Sequence, residues 1–400
     1  MSDKLRKELS NEEALTLDLS LNKVMKGRKN PRYSISKEQW RIIKDLRNRG
    51  VISACNNLDV DVSNVKHLWR KDKENSLFIK NPLYVEPKIK EVNKTIEKSI
   101  SKVLNRFKKE DYNFKPTKVK SNKKAIKVTT TDDHLGLEPN PDNLGLFEYE
   151  YNAKIYEQSY QKVFNSVVKE FNTYGYFDLL LLDNLGDEQD GFNALTTRGG
   201  HQLPQNMTNA EVFETCIDVK VKMIKSLVES NIAKKIILRK VVNDNHSGDF
   251  GHTINIAVKK IIDLIYSNNI VEVETLTKFL EHRIYGEHCF ILTHGKDKKQ
   301  MFKGLPLQLN DKTINYINDY IRFYDIKSKY IHVEKGDLHQ IGYNKCSTFD
   351  YRNFMSFAPP SSWVQHNFGD CYSGYSIQVI PKETNEISHT DYFLDYKKKK

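Results

Sequence analysis

The sequence predicts an α/β domain whose sheets are covered by helices, carried behind a small all-α domain. Three observations predict it. From residue 125 onward, short apolar runs of strand length alternate with longer runs that are apolar at helical spacing. Five of the apolar runs end in clusters of Asp, Asn and His. The charge also changes sign along the 400-residue chain. Residues 1–124 hold 31 Lys and Arg against 16 Asp and Glu, a net of +15, whereas 125–400 hold 32 against 36, a net of −4. A basic front half on a mildly acidic back half fits an anionic partner for the front, nucleic acid being the usual one. A solvated, lysine-rich surface is the plainer alternative.

Residues 1–35 are polar and charged, without sustained periodicity, and read as a flexible basic arm. Residues 36–80 read as a small helical domain. Ser36 with Gln39 forms a capping box, Trp40, Ile43 and Leu46 recur at helical spacing, and Gly50 stops the helix. A second short helix is expected over 51–57, and Asp61 can cap a third carrying Val62, Val65, Leu68 and Trp69 on one face. The set Ala54, Leu58, Val60, Val65 and Trp69 resembles a helix-turn-helix, with Asp59 where the turn usually has Gly. That resemblance puts Asn64, Lys66, His67 and Arg70 on the exposed face of a recognition helix. A protein-binding three-helix module is the other reading.

Residues 81–124 combine an amphipathic helix and a basic linker. Ile89, Val92, Ile96, Ile100, Val103 and Phe107 step by three and four, which suits packing on the next domain or pairing two chains through 85–109. The catalytic candidate is 125–385, followed by a charged tail over 386–400. Strands are expected at 125–131, 177–182, 235–242, 289–293, 330–333 and 373–380, and helices at 155–173, 210–230 and 254–267.

No apolar run approaches the roughly 20 residues that span a bilayer, so no membrane partner is expected. The N-terminus shows no apolar segment behind its charges, and Cys55, Cys216, Cys289, Cys346 and Cys371 form no CxxC pair. These features predict free thiols in a cytoplasmic protein.

The clusters carry the chemistry. They are Thr131-Asp132-Asp133-His134, Gly186-Asp187-Glu188-Gln189-Asp190, Asn243-Asp244-Asn245-His246, Thr293-His294-Gly295 and Gly336-Asp337-Leu338-His339. In an open α/β sheet, ligands gather outside the carboxyl ends of strands, so five such clusters are expected to converge. Any one alone is weak; the ordered set of five is not. Carboxylates, an amide and imidazoles are what two divalent cations about 3.5–4 Å apart require, and such a pair polarises a phosphoryl oxygen and activates water.

The ordered set resembles the calcineurin-like metallophosphoesterases, whose motifs run D-x-H, G-D-x-x-D/N, G-N-H-D/E, H and G-H-x-H. The resemblance covers about residues 126–380 and implies a four-layer α/β/β/α sandwich. It implies that Asp132, His134 and His339 hold a first metal, that Asp187 bridges, and that Asn245, His294 and Asp337 hold a second. His246 then protonates or stabilises the leaving oxygen. Within the family, Leu185–Gly199 and Asp350–Ile380 look most like phage-encoded phosphoesterases and the repair-exonuclease branch, and Arg198 is a candidate phosphate ligand.

Three positions depart from the pattern. Asp337 replaces a histidine, which hardens the second site and favours Mn²⁺ or Mg²⁺ over Zn²⁺. Asp244 replaces a glycine. Ser247 replaces the acidic residue after His246, leaving Asp249 to orient that ring. The expected activity is a metal-dependent phosphodiesterase on DNA, probed against two alternatives: a phosphatase on phosphoproteins or small esters, and a DNA-binding protein with a degenerate phosphoesterase domain. Fold alone does not choose among them.

Overall fold

The computed structural model describes residues 7–8, 33–34, 67–71, 76–80, 97–102, 105, 121–141, 145–266, 270–299, 302–369 and 371–397. The chain divides into two compact units, Met1–Lys94 with Gly200–Gln202, and Thr95–Gly199 with Leu203–Lys400.

In the first unit, β1 (Lys7–Glu8) pairs in parallel with β2 (Tyr33–Ser34). Strand β3 (His67–Lys71) pairs antiparallel with β4 (Ser76–Lys80) in a register that sets Trp69 opposite Phe78. His67 and Arg70 therefore lie on a strand, not on the third helix expected from Asp61. The sequence supplies a reason: Leu68-Trp69 and Leu77-Phe78-Ile79 are strand-forming runs on either side of a polar stretch. The two helices expected over 36–57, and Asn64 and Lys66, lie outside the described residues.

The second unit opens with a helical stretch over 97–102. Its Ile100 packs against the main core, and Ser99 and Lys102 bind Glu214 at 3.1 and 2.5 Å. So much of the amphipathic stripe as is described lies on its own domain.

Strands β5 (Lys124–Thr130), β6 (Leu179–Asn184), β7 (Ile236–Val241) and β8 (Val271–Leu276) run parallel. Helices α1 (Ala153–Tyr174), α2 (Asn209–Glu229) and α3 (Gly248–Ile265) connect them. Each helix starts at a chemical cap or turn. Asn152 accepts from the Ile155 amide ahead of α1, and Thr208 with Glu211 closes a capping box on α2. A second sheet holds β9 (Glu281–Tyr285), β10 (His288–Leu292), β11 (Tyr330–Lys335), β12 (Gly342–Lys345) and β13 (Asp350–Asn353), in the order β12-β13-β11-β10-β9. Helix α4 (Asp311–Phe323) covers its outer face, and the short α5 (Ser362–Phe368) precedes β14 (Ser373–Pro381) and β15 (Ser388–Leu394). The last two strands return to complete a six-stranded sheet, β15-β14-β5-β6-β7-β8.

Three apolar layers result. One lies between the first sheet and α1–α3, around Val128, Leu182, Phe213, Ile217 and Val258. One lies between the sheets, around Ala125, Leu185, Phe290, Leu292 and Ile380. The third lies under α4, around Ile291, Ile317 and Val333. Each fully buried Val, Leu, Ile or Phe here contributes about 1.5–3 kcal/mol. This is the four-layer α/β/β/α sandwich. One boundary moves: β15 lies inside the stretch 386–400 that reads as a tail. Its Tyr392 packs against the main core and its Leu394 is buried in it, while Phe393 between them is exposed, the pattern of a half-buried edge strand.

Between the sheets sits a closed ionic cluster. Lys127 Nζ is 2.6 Å from Glu334 and 3.4 Å from Asp183, and Arg239 donates two bonds of 2.6 Å to Asp183. All four are buried. No described helix is long and apolar enough to cross a membrane.

Candidate metal centre

The parallel strands end together, and their polar clusters meet. The pairing of β5 with β6 continues past both strand ends through Asp132 N to Gly186 O, His134 N to Asp187 O and Leu135 N to Glu188 O, each near 3 Å. Gly336 N donates to His294 O, and Phe357 and Ala358 donate to the carbonyls of Thr131 and Asp132. These bonds fix backbones that are themselves strained. Asp132, His134, Asp187, Asp337 and His339 all have φ between 42° and 73°, a region side chains rarely adopt. Gly336 permits the closest approach: a Cβ there would lie 1.9 Å from Thr131 Oγ1 and 2.7 Å from Asp132 Oδ2.

Three groups of side chains could each hold a cation: Asp132, His134 and His339; Asp132, Asp187 and His294; and His134, Asp190 and His246. The individual atoms show why. Asp132 Oδ2 accepts from Thr131 Oγ1 at 2.7 Å and from Asp337 N at 3.1 Å. Its other oxygen, Oδ1, is buried without a hydrogen-bond partner and faces His339 Nε2 at 3.4 Å and His134 Nε2 at 3.9 Å. His294 Nδ1 lies 3.0 Å from Leu185 O, so it donates there. That leaves Nε2 between Asp187 Oδ2 at 2.9 Å and Asn245 Oδ1 at 3.0 Å. A carboxylate oxygen orphaned in the interior, imidazole nitrogens turned inward and an amide oxygen make a donor set that fits divalent cations. A candidate ligand set of Asp132, His134, Asp187, Asn245, His294 and His339 is thus brought to one place.

The electrostatics agree. Burial works against a charged His294 ring, but Asp187, Asp132 and Asp337 outweigh it and raise its pKa to about 10. Burial opposes His134 likewise, and its bond to Asp190 raises it to about 9. Burial pushes Asp187 upward, yet His294 and His246 hold it down at about 2. Protons on the imidazoles supply the positive charge that the carboxylates require.

Asp337 lies at the same cluster. Its Oδ1 binds Lys296 Nζ at 2.8 Å, and its Oδ2 is buried without a hydrogen-bond partner. Asp244 explains its own departure from the family pattern. Its carboxylate accepts from Asp187 N at 3.0 Å, Gly248 N at 2.9 Å and Ser247 Oγ at 2.5 Å. It thereby caps the start of α3 and holds the backbone of Asp187, tasks a glycine does not perform.

The expected partner of His246 is corrected. Asp249 is exposed and pairs with Lys298 at 2.8 Å. It sits in the first turn of α3, which turns its side chain away from the ring. Asp190 takes that role, binding His246 Nδ1 at 2.7 Å and His134 Nδ1 at 3.0 Å through Oδ1, while Gln205 Nε2 donates to its Oδ2 at 2.5 Å. One carboxylate thus fixes two rings and turns both Nε2 atoms toward the centre. The signal was available: Asp190 is the last residue of G-D-x-x-D. Arg198 is part-buried, with NH1 3.5 Å from Asp297 and 3.4 Å from Phe302 O, and its amide donates to Asn245 O.

No family model matches the chain, and neither does any curated protein. Solved structures do. A single-mutant Vps29 from Entamoeba histolytica is 10% identical with a TM-score of 0.28, covering 68% of this chain and 99% of that one. An archaeal phosphodiesterase is 11% identical with a TM-score of 0.29, covering 67% and 99%. A predicted phosphoesterase from Streptococcus pneumoniae TIGR4 is 10% identical with a TM-score of 0.24, covering 67% and 98%. Likeness of this order says nothing about what the chain binds or cleaves, which has to come from the site.

Proposed function

We propose that the chain is a metal-dependent phosphodiesterase of the calcineurin-like class that cleaves nucleic acid, a phage-type DNA nuclease. The observation that carries the hydrolase reading is the strand-end cluster, where Asp132 Oδ1 is buried without a partner between two inward-turned imidazoles. Asp132, His134 and His339 would hold one cation, Asn245, His294 and Asp337 a second, with Asp187 between them. Bound there, a pair of divalent ions supplies charge neutralisation at the phosphoryl group and an activated water.

The chain's own residues do the rest. His246 is the most exposed imidazole of the cluster, its side chain at 22% exposure, so it can reach a bound ester. Burial works against its protonated form, but Asp187 and Asp190 raise its pKa above the ordinary value. A protonated ring, held by Asp190, is suited to deliver a proton to the leaving oxygen. The nucleic-acid reading draws on the +15 charge of residues 1–124.

The test is an assay of the purified protein with Mn²⁺ on single-stranded DNA, duplex DNA, a nitrophenyl phosphodiester and a nitrophenyl phosphomonoester. Cleavage of DNA and of the diester supports the reading. Turnover of the monoester alone moves the assignment to a phosphatase, and no turnover with metal bound moves it to a structural role.

A further inference from the structure

Among the described clusters, one polar pair belongs to the centre yet has no place in the ligand pattern. Lys296, two residues past His294, places Nζ 2.8 Å from Asp337 Oδ1. Asp337 stands where the resemblance has a histidine. A neutral imidazole there would add no charge; a carboxylate adds a full negative one to a site already holding Asp132 and Asp187.

Three observations show how that charge is managed. Asp337 is held in the left-handed region at φ 73°, so its direction is enforced by the fold. Its amide donates to Asp132 Oδ2 at 3.1 Å, which locks the turn onto the first-metal side. Its carboxylate is divided, with Oδ1 on Lys296 and Oδ2 buried without any hydrogen-bond partner. A buried, unpartnered carboxylate oxygen is costly unless a cation or donor meets it. The side chain of Lys296 is 37% exposed, so its ammonium lies at the rim and does not fill the centre itself. Gly304 makes room for it, since a Cβ there would lie 3.1 Å from Lys296 Cγ.

Resting on the metal-centre reading above, we infer that Lys296 sets the strength of the second cation site by holding Asp337 to a single free oxygen. With Oδ1 engaged, Asp337 offers Oδ2 alone, in the manner of the histidine it replaces, and the ammonium offsets most of its added charge. The second ion is therefore bound by an oxygen-rich but loosely charged set, and exchanges more readily than the first. Removing the ammonium frees Oδ1, raises the local negative charge and tightens the site.

The test is calorimetric titration of the metal-stripped full chain with Mn²⁺, with bound metal counted by elemental analysis. The wild type is expected to bind one ion tightly and a second more weakly. Lys296→Met should tighten the second step on the order of tenfold and leave the first within twofold. Asp337→Asn should abolish the second step and keep the first. Lys296→Arg should restore wild-type behaviour, which a purely structural role for the aliphatic stem would not separate from methionine. Two ions bound with unchanged affinities in Lys296→Met, or a second ion retained in Asp337→Asn, overturns the inference while leaving the metal centre standing. Failure of the wild type to bind any ion overturns both.

Discussion

Two buried charged clusters lie within one domain, and they are built on opposite principles. Between the sheets, Lys127, Asp183, Arg239 and Glu334 form a set of two positive and two negative charges, each within reach of an opposite partner. At the strand ends, Asp132, Asp187, Asp190 and Asp337 gather around imidazoles, and Lys296 at the rim is the one ammonium or guanidinium within 4 Å of these four carboxylates among the described residues. The first cluster is balanced by fixed cations. The second is balanced by protons on His134 and His294, which can leave. A buried cluster whose positive charge is exchangeable is one that a metal ion can enter.

Breaking each cluster should therefore do different things, and the largest effect belongs to the strand ends. Asp187→Asn removes the carboxylate proposed to lie between the two ions and should lower turnover by about a thousandfold or more, measured as kcat on the diester, with the fold intact by circular dichroism. Unchanged turnover removes Asp187 from the centre. Lys127→Met should do the reverse. It leaves Glu334 buried without its cation and should cost about 3–5 kcal/mol in urea unfolding, with metal stoichiometry retained in the folded fraction.

Protonation separates the clusters further. His134 and His294 have folded pKa values of about 9 and about 10, above the ordinary value of 6.5. A raised histidine pKa contributes stability that is present in full below about 6.5 and is lost as pH rises through the folded value. The metal-free protein should thus lose thermal stability between about pH 7 and 10, and bound Mn²⁺ should flatten that loss. The same protons compete with the metal, so Mn²⁺ affinity should rise with pH. A metal-free melting temperature that is level across this range contradicts the assignment of charge to these rings.

The smallest expected effect concerns the front half. Removing residues 1–94 keeps the segment whose Ser99, Ile100 and Lys102 pack on the domain. It should weaken DNA binding and flatten its salt dependence while leaving hydrolysis of the small diester unchanged. Equal affinity and salt slope would place DNA recognition in the catalytic domain.

Much of this was legible in the sequence, for physical reasons. The buried parallel strands β5, β6 and β7 announce themselves as apolar runs, and each must end where its polar cluster begins. Strands β8, β9, β12, β13 and β15 did not, because edge and half-exposed strands carry charged residues and lose the apolar signal. The candidate metal ligands that the fold brings together were legible because such chemistry fixes residue type. The supporting residues were not, since many polar side chains can do their work. Gln205 and Asp244 act through hydrogen bonds that only the folded chain brings together. Asp249 misled for the same reason: proximity in sequence to His246 did not survive the start of α3.

The assignment of the strand-end cluster as a metal centre can be tested without any substrate. The most direct measurement is an anomalous-scattering map from crystals of the protein grown with Mn²⁺. A strong peak is expected within Asp132, Asp187, His134 and His339, with a weaker one toward His294, Asn245 and Asp337. A map with no peak at the cluster, or with its only peaks on surface carboxylates, would contradict it.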